Sequence, residues 1–191
     1  KVMLVDDEAL TLEVIVTLLE ASGYSRFVTT SEPTEALDLI ARERPDILLL
    51  DLMMPKVSGF DILARMQADP ELRYTPVVVL TSAAEASTKL RALDCGATDF
   101  LAKPVDASEL RLRLRNTLAF RAYQNRLANY DRITGLPNRE LFGKHVEQAL
   151  RTAKRHGQSC AMLRLNLDRF GQINDTLGHG AGDALLRTAS Q

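Results

Sequence analysis

The sequence contains no tryptophan, and it holds only two cysteines and three histidines among 191 residues. Cys95 and Cys160 lie far apart without C-x-x-C spacing, which argues against a redox motif and for two reduced thiols. His145, His156 and His179 lack metal-ligand spacing, so no zinc centre is expected. Neither charge sign is in excess, with 24 Lys and Arg against 25 Asp and Glu. A chain so balanced exerts no strong pull on nucleic acid or an anionic membrane, and no DNA or membrane partner is expected. Arg111, Arg113 and Arg115 do cluster. Positions two apart point to different sides of a helix, however, and the cluster reads as a solvated linker helix. No apolar run approaches the ~20 residues of a membrane span. No signal peptide is visible, so a cytoplasmic location is expected. Lys1 is not a natural first residue, and the true N-terminus is expected to lie upstream.

What is present is an apolar share of 46%, enough for a real core. Over the first 104 residues, short dense apolar runs alternate with amphipathic stretches. The runs are 2–5, 27–28, 47–50, 77–80 and 100–101. Between them lie helical patterns at 10–21, from Pro33 through Ile40, at 60–67 and around 89–93. Gly23, Pro45, Gly59, Pro76 and Gly96 punctuate the pattern. Five repeats of strand and helix predict a parallel sheet buried on both faces. Right-handed crossovers make it a doubly wound α/β fold. A helical stretch from 106 to about 130, roughly 35 Å long at 1.5 Å per residue, exceeds what the domain's last helix needs. It reads as that helix running on into a connector. Gly135 and Pro137 mark a turn into new structure, followed by a helix over 140–155, a strand over 161–167, a polar loop with a helical turn over 168–182 and a further helix from Asp183. The expected division is 1–118, a helical connector at 119–130, and a second segment at 131–191.

The strand ends carry the chemistry. The first run ends in Asp6 and Asp7, the third in Asp51, the fourth in Thr81 and the fifth in Lys103. In a parallel sheet all strand C-termini lie on one edge, where ligands of doubly wound folds bind. Three carboxylates, a hydroxyl and an ammonium therefore converge from distant parts of the chain. Clustered carboxylates repel unless a cation sits among them. An all-oxygen ligand set suits Mg2+, and a carboxylate beside Mg2+ is a fitting nucleophile toward phosphorus. Thr81 and Lys103 would then hydrogen-bond and neutralise a transferred phosphoryl group.

The segments "LVDDE" (4–8), "LLLDLMMPKVSGFD" (48–61), "VVLTSAA" (78–84) and "GATDFLAKP" (96–104) resemble the receiver domains of bacterial response regulators, whose fold is flavodoxin-like. The resemblance implies that Asp51 is the phospho-acceptor. It makes Asp7 and Asp51 direct Mg2+ ligands, Asp6 a support through water, and the backbone carbonyl of Met53 a third ligand. Thr81 and Phe100 match the switch pair that reorients on phosphorylation. Phe100 lacks the hydroxyl that Tyr often provides there, so its switching works by packing. An aromatic at a strand end is otherwise a core residue. Lys103 pairs with the phosphoryl group, and Lys103–Pro104 is often cis in the family. Met53 and Ala83 fall on positions that tune phosphate lifetime. The implied phosphodonor is a sensor histidine kinase or a phosphotransfer protein.

"DRITGLPNR" (131–139) and "LRLNLDRFGQINDTLGHGAGD" (163–183) resemble the opening and first strand of a GGDEF domain, the diguanylate cyclase fold. The expected second segment is thus an incomplete α+β GGDEF fragment, with the family's signature loop beyond Gln191. A fragment so small is marginal in core and is expected to be inactive as a cyclase. The first metal-binding carboxylate of the family pattern falls on Asn166, the second on Asp168. The amide is a poorer Mg2+ ligand than a carboxylate. A lysine usual in the pattern is Gly171. Asn174 and Asp183 match the guanine-reading pair, though both also suit capping and turn positions. The wording "GLPNRELF…ALRTAKRHG" is most similar to GGDEF domains that precede an EAL phosphodiesterase domain.

The leading reading is a response regulator in which Mg2+-dependent phosphorylation of Asp51 switches a cyclic di-GMP output. The helix after Asp106 would carry the signal, with homodimer packing through the last receiver helices. GTP or cyclic di-GMP would be a ligand of the parent protein. The alternative is a phospho-regulated binding or dimerisation scaffold with a degenerate GGDEF domain. An aspartyl phosphatase would carry D-x-D at one strand end, and a flavodoxin-type electron carrier would carry a flavin phosphate loop; neither is seen.

Overall fold

Five short aliphatic runs form the strands β1 (Val2–Val5), β2 (Phe27–Thr30), β3 (Ile47–Asp51), β4 (Val77–Thr81) and β5 (Asp99–Ala102). They pair in parallel in the order β2-β1-β3-β4-β5. The computed structural model describes residues 1–82 and 86–191. The chain divides into two units, Lys1–Arg121 and Ala122–Gln191.

Every strand in the first unit is followed by a helix, the arrangement parallel pairing demands. These are α1 (Ala9–Glu20), α2 (Ala36–Glu43), α3 (Gly59–Ala68), α4 (Ala86–Asp94) and α5 (Ala107–Asn129), with a short 3-10 turn at Pro33–Glu35 ahead of α2. Alternate side chains of each strand enter opposite layers. Met3, Val5, Leu48, Leu50, Val77 and Val79 pack beneath α2 and α3, while Ala92 is the buried contribution of α4. Val2, Leu4, Ile47, Leu49, Val78 and Leu80 face α1 and the first half of α5, through Ile15, Leu19, Leu110 and Leu114. Each such fully buried aliphatic side chain contributes roughly 1.5–3 kcal/mol. This two-sided core holds the strand register that the site depends on.

Local signals set the helix limits. Ser58 caps α3 by accepting from the Asp61 N–H at 3.2 Å, and the Asp61 carboxylate accepts from the Ser58 N–H and hydroxyl at 3.1 and 2.7 Å. That is a reciprocal capping box. The Ser58 hydroxyl, then its N–H, holds the Asp61 carboxyl below the usual aspartate range. Arg44 ends α2 in the left-handed conformation.

In the second unit a hydrogen-bonded turn follows the last turns of α5. The Asp131 carboxylate accepts from the Ile133 and Thr134 N–H groups and the Thr134 hydroxyl. Gly135, at φ +71°, takes the left-handed position of this turn. Asn138 caps α6 (Arg139–His156) through the Glu140 and Leu141 N–H groups, and its amide donates back to the Ala128 carbonyl. Two helices complete the unit, α7 (Phe170–Leu177) and α8 (His179–Ala189).

Two expectations for this unit need correction. The strand expected over 161–167 is not formed, and Leu163 and Leu165 are 90% and 94% exposed. A strand needs a partner for its N–H and C=O groups, and no other strand exists among the described residues of this unit. The polar loop expected over 168–182 is largely helical, because the apolar positions Phe170, Ile173 and Leu177 sit at helical spacing and α7 packs on α8. Among the described residues, no helix is long and apolar enough to cross a membrane.

The capping box yields a first prediction. Ser58→Ala should lower the unfolding free energy by about 1 kcal/mol, read by urea denaturation near pH 7. Asp61 is depressed in the folded state, so its contribution is present above the ordinary aspartate pKa of about 3.9 and is lost as pH falls through the folded value. The gap between Ser58→Ala and the parent should therefore narrow in acid.

Candidate functional site

The strand register builds the site. Val5 pairs with Leu50, so Asp6 and Asp51, the next residue on each strand, emerge side by side. Asp51 pairs with Leu80, placing Thr81 one step further along. Thr81 pairs with Ala102, and the Lys103 N–H donates to the Thr81 carbonyl at 2.9 Å. All these positions lie at the C-terminal edge, where β1 and β3 lead to opposite sides of the sheet. That is the switch point at which doubly wound folds bind ligands.

The side chains converge as the strand ends require. Asp6, Asp7 and Asp51 each offer a carboxylate oxygen, all within 4.8 Å of one another. Asp6, Asp51 and Thr81 are buried. The Lys103 ammonium stands 2.7 Å from Asp6 Oδ2 and 3.2 Å from Asp51 Oδ2. Asp6 Oδ1 accepts from the Glu8 N–H at 3.0 Å. Asp6 Oδ2, though within ion-pair distance of Lys103, is met at an angle that makes no hydrogen bond and keeps open acceptor capacity.

The electrostatics follow. Burial pushes the Asp6 carboxyl above the usual aspartate value; the Lys103 ammonium and the Glu8 N–H pull against it, while Asp51 adds to the rise. Burial works to lower Lys103, but its close pairing with Asp6 and the charge of Asp51 outweigh it and hold the ammonium above the usual lysine value. One ammonium thus serves two buried carboxylates. The cluster remains short of positive charge, and its donors are all oxygens. Such a set fits a hard divalent cation such as Mg2+.

The remaining expected residues are placed as follows. Met53 lies in the β3–α3 loop with an exposed side chain. Phe100 is partly buried on β5 and packs against the core, with the Lys89 and Arg113 cations also near its ring. Lys103–Pro104 is cis. Ala83 lies outside the described residues. In the second unit, Asp168 is exposed in the turn before α7, Asn174 lies within α7 and Asp183 within α8. Neither Asn174 nor Asp183 caps a helix, which removes the capping alternative. No second cluster of three metal-competent residues occurs among the described residues.

Gly59 is a site residue that the sequence reading treated only as punctuation. A Cβ there would run into the Asp51 carbonyl oxygen and come within 2.9 Å of Leu52 Cα. The Gly59 N–H donates to the Leu52 carbonyl at 3.1 Å. Glycine is needed because the start of α3 presses against the backbone that carries Asp51. The signal was visible as a glycine at a helix start, but its contact is tertiary.

With the site defined, the comparisons decide the family. The family model for the response regulator receiver domain matches residues 2–115. The chain belongs to the response regulator receiver family. A second model, the diguanylate cyclase GGDEF domain, matches residues 128–191. A probable transcriptional regulator, ycf27 of Guillardia theta, is 32% identical over 90% of this chain and 68% of its own length. The response regulator PleD of Caulobacter vibrioides is 37% identical over 63% of the chain, which spans only 26% of PleD. Among solved structures, a putative response regulator from Chloroflexus aurantiacus matches 62% of this chain and 96% of its own, at 31% identity and TM-score 0.59. The signal receiver domain of a modulated diguanylate cyclase from Desulfovibrio desulfuricans matches 64% of this chain and 96% of its own, at 27% identity and TM-score 0.56. The Asp6, Asp7 and Asp51 cluster of this receiver is typical of a receiver Mg2+ site.

Two predictions follow. Lys103→Met leaves two buried carboxylates without their cation, and breaking a buried pair costs about 3–5 kcal/mol. The variant should melt well below the parent in chelator and regain much of the difference on adding Mg2+, a larger Mg2+ shift than the parent shows. Gly59→Ala should destabilise the receiver by about 1–3 kcal/mol in urea denaturation, and weaken its Mg2+ response by displacing Asp51.

Proposed function

We propose that Asp51 is a phospho-acceptor, charged by a sensor histidine kinase or phosphotransfer protein, and that its phosphorylation switches an output assigned to the second unit. The single observation that carries this reading is the convergence of Asp6, Asp7, Asp51 and Lys103 at one buried sheet edge. A bound Mg2+, held by Asp7, Asp51 and the Met53 carbonyl with Asp6 behind, would neutralise charge on the phosphoryl oxygens. The chain's own residues do the rest. An Asp51 oxygen attacks phosphorus, the O–P bond forms as the donor's N–P bond breaks, and the imidazole leaves with the electron pair. Lys103 moves its charge from the bare carboxylates onto the new phosphoryl group, and the Thr81 hydroxyl donates to it. This is catalysis by positioning and preorganised charge.

Two features support a cyclic di-GMP output: the GGDEF match over residues 128–191 and the likeness of the first unit to PleD and to a receiver of a modulated diguanylate cyclase. The boundaries 1–118, 119–130 and 131–191 belong to the same reading, with the last receiver helices as a dimer face. Asn174 and Asp183, with Asp168, are the proposed nucleotide contacts. A second reading, a phospho-regulated scaffold with a degenerate GGDEF domain, is favoured by Asn166 standing where the pattern has a carboxylate.

Incubation with acetyl phosphate and Mg2+ should add one phosphoryl mass to the chain, absent in Asp51→Asn and in EDTA. An equal gain in Asp51→Asn would move the acceptor elsewhere, and no gain in the parent would discard the reading. Incubation of the same chain with GTP and Mg2+ should yield no cyclic di-GMP.

A further inference from the structure

α4 is tied to the receiver in an unusual way. Ala92 is its buried apolar anchor, while Leu90 and Leu93 are 62% and 39% exposed. Its cations make up the difference. Arg91 lies over the Phe60 ring of α3 at 4.2 Å from the centroid, and the Lys89 ammonium lies over the Phe100 ring of β5 at 4.9 Å. The same Phe100 ring meets a second cation, the Arg113 guanidinium of α5, at 5.9 Å. Arg113 is itself fixed. It donates to both Asp99 oxygens at 3.0 Å and to Glu109 at 3.2 Å. Asp99 also accepts from the Phe100 N–H at 2.9 Å. The ring therefore lies under one cation from α4 and one that carboxylates hold in place on α5.

The sheet connects this ring to the site. Val79 pairs with Phe100, and Thr81 pairs with Ala102. Paired residues in a sheet point to the same face, and so do residues two apart along a strand. Phe100 and Thr81 thus share a face on neighbouring strands, one diagonal step apart. On the phospho-acceptor reading, a Thr81 turned toward a phosphoryl group on Asp51 would free space on the side of Phe100. A ring moving deeper leaves its cations behind, because lysine and arginine heads stay in water while their stems are covered.

We propose that Lys89 and Arg113 form a two-cation clamp on Phe100 that stabilises the unphosphorylated arrangement and sets how readily the receiver accepts a phosphoryl group. The proposal rests on the phospho-acceptor reading of Asp51 and adds to it two positioning residues outside the acidic cluster. Lys89 is the adjustable arm, since Arg113 is immobilised by Asp99 and Glu109. A contact present only in the resting arrangement shifts the population by its own strength.

The test uses the full chain with acetyl phosphate and Mg2+, reading the initial rate of phosphoryl mass gain. Lys89→Met keeps the stem and removes the charge; it should be phosphorylated about two- to fivefold faster, the range that one exposed cation–π contact supports. Lys89→Arg should restore the parent's rate. Phe100→Leu removes the ring, and adding Lys89→Met to it should change nothing further. If Lys89 merely attracted the anionic donor, Lys89→Met would be slower, in the Phe100→Leu background as well, and the clamp would be rejected. Equal initial rates for Lys89→Met and the parent, where the parent does gain a phosphoryl group, would also reject it. Should the parent gain no phosphoryl group, the Asp51 reading fails first, and amide exchange of α4 judges the clamp alone: faster exchange in Lys89→Met supports it, unchanged exchange overturns it.

Discussion

The ion pairing of Lys103 with Asp6 and Asp51 is the constraint around which the first unit is arranged. Two carboxylates at a buried sheet edge would expel each other without a cation, and taking even one ion out of water costs several kcal/mol. The fold meets that cost with one ammonium delivered from β5, two strands beyond β3. Everything that fixes the distance between those strands bears on the pair. The aliphatic layers beneath α2 and α3 and beneath α1 and α5 leave the strands no freedom to slip, because a one-residue slip would turn every core side chain into the wrong layer. The stability of the core and the readiness of the site are thus one property. The arrangement is still incompletely neutralised, and that deficit fits the site for a divalent cation.

Much of this was legible in the sequence because the relevant physics is local. Dense aliphatic runs interrupted by amphipathic stretches specify a parallel sheet, and such a sheet fixes which strand ends meet. Asp6, Asp51, Thr81 and Lys103 could be brought together from order alone. Other features were illegible because their cause is tertiary. Arg113 sits in a row of arginines that reads as a solvated face, yet it reaches Asp99 fourteen residues away. Phe100 reads as core and does pack against it, yet nothing in the sequence shows that its ring also meets cations from α4 and α5. Gly59 reads as a helix start, yet it is the place where α3 meets the backbone of Asp51. In the second unit the aliphatic alternation of 161–167 has the composition of a strand. Composition cannot supply the neighbour that a strand needs, and the segment stays exposed.

The two units differ in what holds them. The receiver has two apolar layers, whereas the second unit has few buried residues, among them Ala153 and Gly182, and leans on capping. Asp131, Thr134, Gly135 and Asn138 satisfy the end of one helix and the start of the next within a single turn. Asn138 does both at once, accepting from the first turn of α6 while donating to the last turn of α5. The segment that most resembles a signature of function is therefore, in its contacts, a device for joining helices.

That leaves α5, the helix within which the division at 121 and 122 falls. It begins four residues after Lys103. Leu110, Leu114 and Thr117 seat its first half on the sheet, and beyond Leu118 its apolar side chains Phe120, Tyr123 and Leu127 are exposed. Arg113, in the seated half, is held by Asp99 at the start of β5 and touches Phe100. Phe100 on β5, and Lys103 just beyond its end, are thus linked through one arginine to the seated half of α5. The charge balance at Asp6 and Asp51 and the seating of α5 are two ends of that short path within the first unit.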